Sequence, residues 1–192
     1  CVCTIRIFVQ DGVYATFCEK FIAAVKQLKV ADGLSDGSQI GPLINRHALD
    51  DVHKLVTESV QQGAQIALGG NVHSAGQNFY APTVMTHVTN DMAIAKNEIF
   101  GPISPIIRFS NEAEVIAQAN DTEVGLAAYF YSRDIGRIFR VAEALEYGMI
   151  GINEGLISNA AAPFGGVKQS GNGREGSHYG LDDYLEIKYL CL

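Results

Sequence analysis

The sequence has no tryptophan, only four cysteines in 192 residues, and fewer bases than acids, 14 against 21. The last two shortages each exclude something. Cys1, Cys3, Cys18 and Cys191 are too few and too unevenly spaced for a disulfide framework, so a reducing, cytoplasmic setting is expected. A net charge of −7 argues against a nucleic-acid or anionic-membrane partner, since either wants a basic face. No apolar run approaches the roughly 20 residues that span a bilayer. What remains is a globular chain: 47% hydrophobic, with a mean hydropathy of +0.09, long enough to bury a core without disulfide staples or a structural metal. An initiator methionine is also missing. The chain opens on CVCTIRIFVQ, two cysteines directly before a hydrophobic run.

The pattern along the chain alternates strands and helices. Ile5 to Gln10 reads as a strand, and Asp11 can cap a helix with Val13, Phe17, Phe21, Val25 and Leu28 on one face. After a Gly-rich loop, Asn45 can cap a second helix with Leu49, Val52, Val56 and Val60 inward, ended by Gly63. AQIALGG, FYAPTVMTHV and PIIRF read as extended segments. Asn111, with Glu114 three residues on, has the capping-box arrangement of a short helix. LAAYFY reads as a strand buried on both faces, and Asp134 caps a helix with Ile135, Ile138, Phe139, Ala142 and Leu145 inward. MIGIN follows as another buried strand. This order predicts an α/β fold of three layers, an open and mostly parallel sheet with helices on both faces. The tail DYLEIKYLCL alternates in the manner of a strand with one wetter face.

Three stretches can carry chemistry. The Cys1–Cys3 pair suits a strand-edge filler, half of a metal site, or a reactive thiol. A metal site would want a second Cys/His cluster, and His47, His53, His73, His87 and His178 are scattered, so no metal is expected. A reactive thiolate wants a nearby cation or helix N-terminus. Spacing alone leaves the pair open. KNEIFGPI, residues 96–103, sets an acid and an aromatic ring on a Gly-Pro turn. Its Phe100 belongs either to a cleft wall or to the core. APFGGVKQSGNGREG has five glycines in fifteen residues but fits neither phosphate-binding fingerprint, so these glycines are read as places where backbones cross closely.

Taken in order, CVC-x-x-R-x-F-V-Q, IGPL, NEIFGP, GLAAY and PFGG-x-K-x-SG-x-GRE resemble the C-terminal half of an aldehyde dehydrogenase over the whole chain. CVC, GINEGLIS, APFGGVKQSG and the tail look most like the succinate-semialdehyde branch of that family. The resemblance implies residues 1–170 as catalytic domain and 171–192 as a tail with an oligomerisation strand. The dinucleotide-binding domain is then absent from this chain. The opening cysteine thus looks like the family's nucleophile, with the polypeptide cut just before it, so no targeting segment can be assessed.

The resemblance further implies a role for each motif residue. Cys1 attacks the aldehyde carbon, hydride passes to NAD or NADP, and water hydrolyses the thioester. Cys3 is the redox partner that pairs reversibly with Cys1. Glu98 binds the nicotinamide ribose hydroxyls and Phe100 packs beside that end of the cofactor. Ser158 binds the substrate carboxylate and Phe164 walls the same pocket. The general base, the oxyanion asparagine and the carboxylate-binding arginines fall in the other half. The implied activity is oxidation of succinate semialdehyde in 4-aminobutyrate degradation, by a homodimer or homotetramer, with the fragment inactive alone. Glutarate semialdehyde is an alternative substrate, since one methylene is worth only about 1–3 kcal/mol in a pocket. A non-catalytic assembly module is the alternative from another class.

Overall fold

Short alternating segments between residues 4 and 115 assemble a four-stranded sheet in the computed structural model, which describes residues 2–192. The strands are β1 (Ile7–Gln10), β2 (Gln65–Leu68), β3 (Thr83–Val88) and β4 (Ile103–Phe109), in the order β1-β4-β3-β2. β1, β4 and β3 run parallel, and β2 is an antiparallel edge. Because side chains alternate along a strand, neighbouring residues feed opposite faces. Met85 and Ile107 join Leu49, Val52 and Val56 of α2 (Arg46–Gln61) on one side. Val84 and Ile106 join Tyr14 and Cys18 of α1 (Tyr14–Val25) on the other. Helix, sheet and helix make the three layers that the pattern predicts.

The helix starts show how local chemistry sets boundaries. Asn45 accepts from the Ala48 amide at 2.9 Å, and Gly63 follows α2 at φ +112°, a left-handed stop that glycine takes without strain. Asn111 accepts from the Glu114 amide at 3.0 Å, while the Glu114 carboxylate reaches back to the Ser110 amide at 2.8 Å, and α4 (Glu112–Asn120) begins there. Asp11 behaves differently from expectation. It opens a single 3₁₀ turn (Asp11–Val13), pairs with Arg108 at 3.3 Å and accepts from the Ser110 hydroxyl at 2.9 Å, so α1 starts later and Val13 lies exposed.

A second unit comprises residues 1–3 and 116–192. Here β6 (Ala127–Phe130) and β7 (Met149–Ile152) pair in parallel across the crossover helix α5 (Ile135–Ala144), whose cap Asp134 accepts from the Arg137 amide at 2.8 Å. β5 (Val124–Gly125) pairs antiparallel with β8 (Val167–Lys168). The glycine reading holds at Gly165, Gly166 and Gly176, whereas Gly171 has nothing within 4 Å and serves a turn at φ +88°. A Cβ on Gly148 would stand 2.1 Å from the Gly165 carbonyl oxygen, and one on Gly165 would stand 2.3 Å from that of Gly173.

Four further expectations need correction, the first being that Val60 of α2, expected inward, is 40% exposed. On α5 the inward stripe is Val141 with the half-buried Ile138, Ala142 and Leu145, whereas Ile135 and Phe139 are exposed. The helix is amphipathic as read, but the stripe is narrower than the apolar residues available to it. β6 is half-buried in this chain rather than covered on both faces, and Tyr131 beyond it is exposed. The tail forms a 3₁₀ segment (Tyr179–Tyr184), and residues 185–192 have no ladder partner among the described residues. An alternating segment becomes a strand only when a second backbone takes its hydrogen bonds.

Candidate functional site

Each unit carries its own share of the sequence-predicted residues. In the first, the turn 97–102 is held at both ends. α3 (Ala93–Lys96) is fastened to α2 where the Ile94 amide donates to the buried Ser59 hydroxyl at 3.0 Å and the Ala93 amide to Gln62 Oε1 at 2.9 Å. On the far side the Thr83 amide donates to the Pro102 carbonyl at 2.8 Å, which locks the turn to β3. Between these anchors Ile99 fills the core, only 4% exposed, so the flanking Glu98 and Phe100 both face solvent.

Phe100 is therefore not a core residue. Its ring is 72% exposed, and its φ of +47° is left-handed, which costs a side-chain-bearing residue about 1–2 kcal/mol. A bulky apolar residue held in strain and open to water needs an external reason, and strained backbone clusters at ligand sites. Glu98 makes no ion pair or hydrogen bond among the described residues. An open carboxylate beside an open aromatic ring fits a sugar diol and the planar group attached to it.

In the second unit the loop after β7 carries Ser158. Glu154 folds its carboxylate back to accept from the Leu156 and Gly155 amides at 3.0 and 2.7 Å, bonds that hold its pKa below the usual carboxylate range. Asn159 Oδ1 accepts from the Ala161 amide at 2.9 Å, and the Ala160 carbonyl accepts from Ser177 at 2.9 Å. With the loop secured by these neighbours, Ser158 is exposed and its hydroxyl has no partner among the described residues. It does not cap its own turn.

Phe164 is half-buried and exchanges 2.8 and 2.7 Å backbone bonds with Glu175. It lines a surface depression of about 490 Å³ with Arg174, Asp183 and Tyr184, and Ser158 is not among the walls. Arg174 fixes that region: its Nη1 donates to the carbonyls of Gly166, Asn172 and Gly173 at 2.8, 3.0 and 2.9 Å. Cys3 is an exposed thiol. Cys1 lies outside the described residues, but its neighbour does not. Tyr129, on β6, donates its hydroxyl to the Val2 carbonyl at 2.9 Å. Motif reading missed Tyr129, Asn153 and Glu154. The last two stand inside GINEGLIS, whose composition signals a turn but not which side chain organises it.

Comparison with known proteins gives these residues a common context. The model of the aldehyde dehydrogenase family matches residues 1–190. The NADP(+) succinate-semialdehyde dehydrogenase of Escherichia coli (strain K12) is 55% identical over all 192 residues, and the chain spans 40% of its length. Glutarate-semialdehyde dehydrogenase of Pseudomonas putida is 57% identical with the same 40% span. The crystal structure of succinate-semialdehyde dehydrogenase from Burkholderia pseudomallei superposes with a TM-score of 0.97 at 58% identity, covering 100% of this chain and 40% of that one. The fold, the ordered motifs and a family match across nearly the whole sequence agree: this chain belongs to the aldehyde dehydrogenase family.

Proposed function

We propose that the complete polypeptide carrying this chain oxidises succinate semialdehyde to succinate, with NAD or NADP as hydride acceptor. The observation that carries this reading is the similarity to two semialdehyde dehydrogenases, 55% and 57% identical, over every residue of the chain. Those relatives act on aldehydes that bear a carboxylate at the far end. Ser158, open and unpartnered on an anchored loop, is the residue here that can donate to such a carboxylate.

In this mechanism the Cys1 thiolate forms a carbon–sulfur bond to the aldehyde carbon, and the carbonyl electron pair moves to oxygen as a thiohemiacetal forms. The nicotinamide, when bound, supplies the acceptor for the hydride that leaves that carbon. Water then cleaves the thioester and restores the thiol. Glu98 would hold the ribose hydroxyls of the cofactor, and Phe100 would shield its nicotinamide end from water. Ser158 orients the substrate's distal carboxylate, and Phe164 contributes apolar surface. The exposed tail pairs with a second subunit's sheet in a homodimer or homotetramer.

The identity to the Pseudomonas putida enzyme supports a second reading, glutarate semialdehyde as the preferred substrate. One experiment separates the two. The complete polypeptide is assayed with both semialdehydes and both cofactors. A higher kcat/KM for the four-carbon substrate supports the first reading, and a higher value for the five-carbon substrate supports the second. No turnover of either overturns both.

A further inference from the structure

We propose that Ser59 and Gln62, at the C-terminal end of α2, are positioning residues for the cofactor: they cap α3 from outside it and so set the turn from which Glu98 and Phe100 project. The inference rests on the reading of that turn as the cofactor's contact. Three observations support it.

The first is how α3 begins. A helix leaves its first N–H groups without partners of its own, and a side chain at the N-cap commonly takes one. Met92, at that position, makes no such bond. Instead the Ala93 amide donates to Gln62 Oε1 at 2.9 Å and the Ile94 amide to the Ser59 hydroxyl at 3.0 Å. Ser59 and Gln62 are three residues apart, so one face of α2 presents both acceptors. The second observation is the path from that cap to the turn. The Ala93 carbonyl accepts from the Asn97 amide at 3.2 Å and from Asn97 Nδ2 at 2.9 Å. Ala93 is thus held by Gln62 at its amide and in turn holds, at its carbonyl, the residue before Glu98. The third lies at the other end of the turn. A Cβ on Gly101 would stand 2.7 Å from Val52 Cγ2, so Gly101 lies directly against α2. Val52 precedes Ser59 by seven residues, about 10 Å along the helix axis. One helix therefore braces segment 93–101 at both ends.

The strain in the turn explains why such a brace matters. Phe100 sits at φ +47°, and a side-chain-bearing residue keeps a left-handed backbone only where its surroundings over-determine it. Thr83 holds the turn at Pro102, and the capped α3 holds the end that leads into Glu98. Without the cap, two amides turn to water and the segment gains conformations in which the carboxylate and the ring no longer stand together. Apparent affinity falls in proportion to the fraction of molecules whose site is assembled. Loss of the cap therefore weakens cofactor binding and leaves the chemical step of the assembled complex as it was. Gln62 is itself exposed, so changing it spares the core.

The test uses Gln62→Leu and Gln62→Glu in the complete polypeptide. Leucine removes the acceptor, whereas glutamate keeps an acceptor oxygen at the same reach. A single neutral hydrogen bond predicts about a twofold to tenfold effect. In Gln62→Leu the calorimetric Kd for NAD or NADP and the cofactor KM should both rise by that factor, with kcat at saturating cofactor nearly unchanged. Deuterium exchange in peptides spanning residues 92–102 should quicken. Gln62→Glu should restore all three quantities. Ser59→Ala, compared at a temperature where it stays folded, should raise Kd and quicken exchange in the same way. A parental Kd in Gln62→Leu or in Ser59→Ala overturns the proposal for that residue, even where exchange is faster, because that is a purely structural role. A loss of affinity that Gln62→Glu shares overturns it too. Glu98→Ala separates this from the reading beneath it. If Glu98→Ala binds both cofactors as the parent does, the turn is not the cofactor's contact and the inference falls with that reading. A weakened Glu98→Ala beside an unchanged Gln62→Leu and Ser59→Ala overturns the inference alone.

Discussion

The side-chain amide of Asn153 engages both polar groups of one backbone residue, Ser132: Nδ2 donates to its carbonyl at 2.8 Å and Oδ1 accepts from its amide at 2.9 Å. Ser132 follows β6 and Asn153 follows β7, so the amide joins the C-terminal ends of the parallel pair. That is where open α/β sheets gather their ligands, and the loop to Ser158 departs from the same point. Asn153 reaches both atoms from a left-handed backbone, φ +56°, which asparagine tolerates better than most residues.

Asn153→Ala should cost about 1–3 kcal/mol, from two lost hydrogen bonds on a backbone alanine dislikes. Asn153→Asp is more informative. Its carboxylate still accepts from the Ser132 amide but sets a second oxygen against the Ser132 carbonyl, whereas the protonated acid can donate there. The folded-state pKa of that aspartate is therefore raised. Its stability relative to the parent should be best below the unfolded aspartate pKa, about 3.9, and fall as pH rises through the raised value. Urea unfolding of both proteins at matched pH measures the difference.

Ser158→Ala in the complete enzyme should lower kcat/KM for succinate semialdehyde about tenfold to a hundredfold, because a hydrogen bond to a charged group is worth about 1.5–3 kcal/mol. Butanal, which has no distal carboxylate, should be turned over at nearly the parental rate. Equal losses on the two aldehydes would point to a damaged loop and remove Ser158 from substrate recognition.

Features set within a few residues were legible in the sequence. Asn45, Asn111 and Asp134 cap helices because a side chain and an amide two or three residues on are all the bond requires. Features that need a distant partner were not. Periodicity located the apolar face of α5 but could not tell that Val141 faces inward and Phe139 outward. The sequence leaves Phe100 between core and cleft, because only the folded turn shows that its neighbour Ile99 occupies the core. Tyr129 looked like one more apolar residue of a strand, since the carbonyl it holds is 127 positions away.

Glu154 provides a test of loop order that is separate from substrate contact. Its pKa is held low first by the Leu156 amide and then by that of Gly155. With a folded pKa below the unfolded one, the carboxylate's contribution is complete above the unfolded value, about 4.3, and fades as pH falls through the lowered one. Above about pH 5 the loop should keep its order by this means. Glu154→Ala should raise KM for the semialdehyde several-fold throughout that range. Glu154→Gln retains an acceptor oxygen and should stay near the parent. Michaelis constants at three pH values check both statements.

Phe100→Gly should separate stability from cofactor binding. The ring is exposed and contributes little to the core, and glycine removes the left-handed strain of φ +47°. Relief of about 1–2 kcal/mol is offset by the greater freedom of an unfolded glycine, about 0.4–1 kcal/mol. The melting temperature should therefore hold or rise slightly. If the ring packs beside the nicotinamide end of the cofactor, KM for NAD or NADP should rise about tenfold, in keeping with about 1.4 kcal/mol of lost contact. A variant that melts earlier and keeps its cofactor KM would assign Phe100 to the fold instead.

The tail offers the clearest test of assembly. Leu185, Ile187, Tyr189 and Leu190 are 65%, 101%, 84% and 78% exposed, a concentration of apolar surface that water disfavours. Leu185 is already extended, at φ −119° and ψ 143°, so a neighbouring strand would find the backbone ready to pair. Asp183 is a different matter: its Oδ2 accepts from the Arg174 amide at 3.2 Å, inside the same unit. A deletion that begins at Leu185 therefore removes the exposed segment and leaves that contact intact. In the complete enzyme, loss of residues 185–192 should shift the mass measured by light scattering toward the monomer, with the melting temperature of the remaining fold little changed. An oligomer of unaltered mass would mean that these residues are covered by something other than a second subunit.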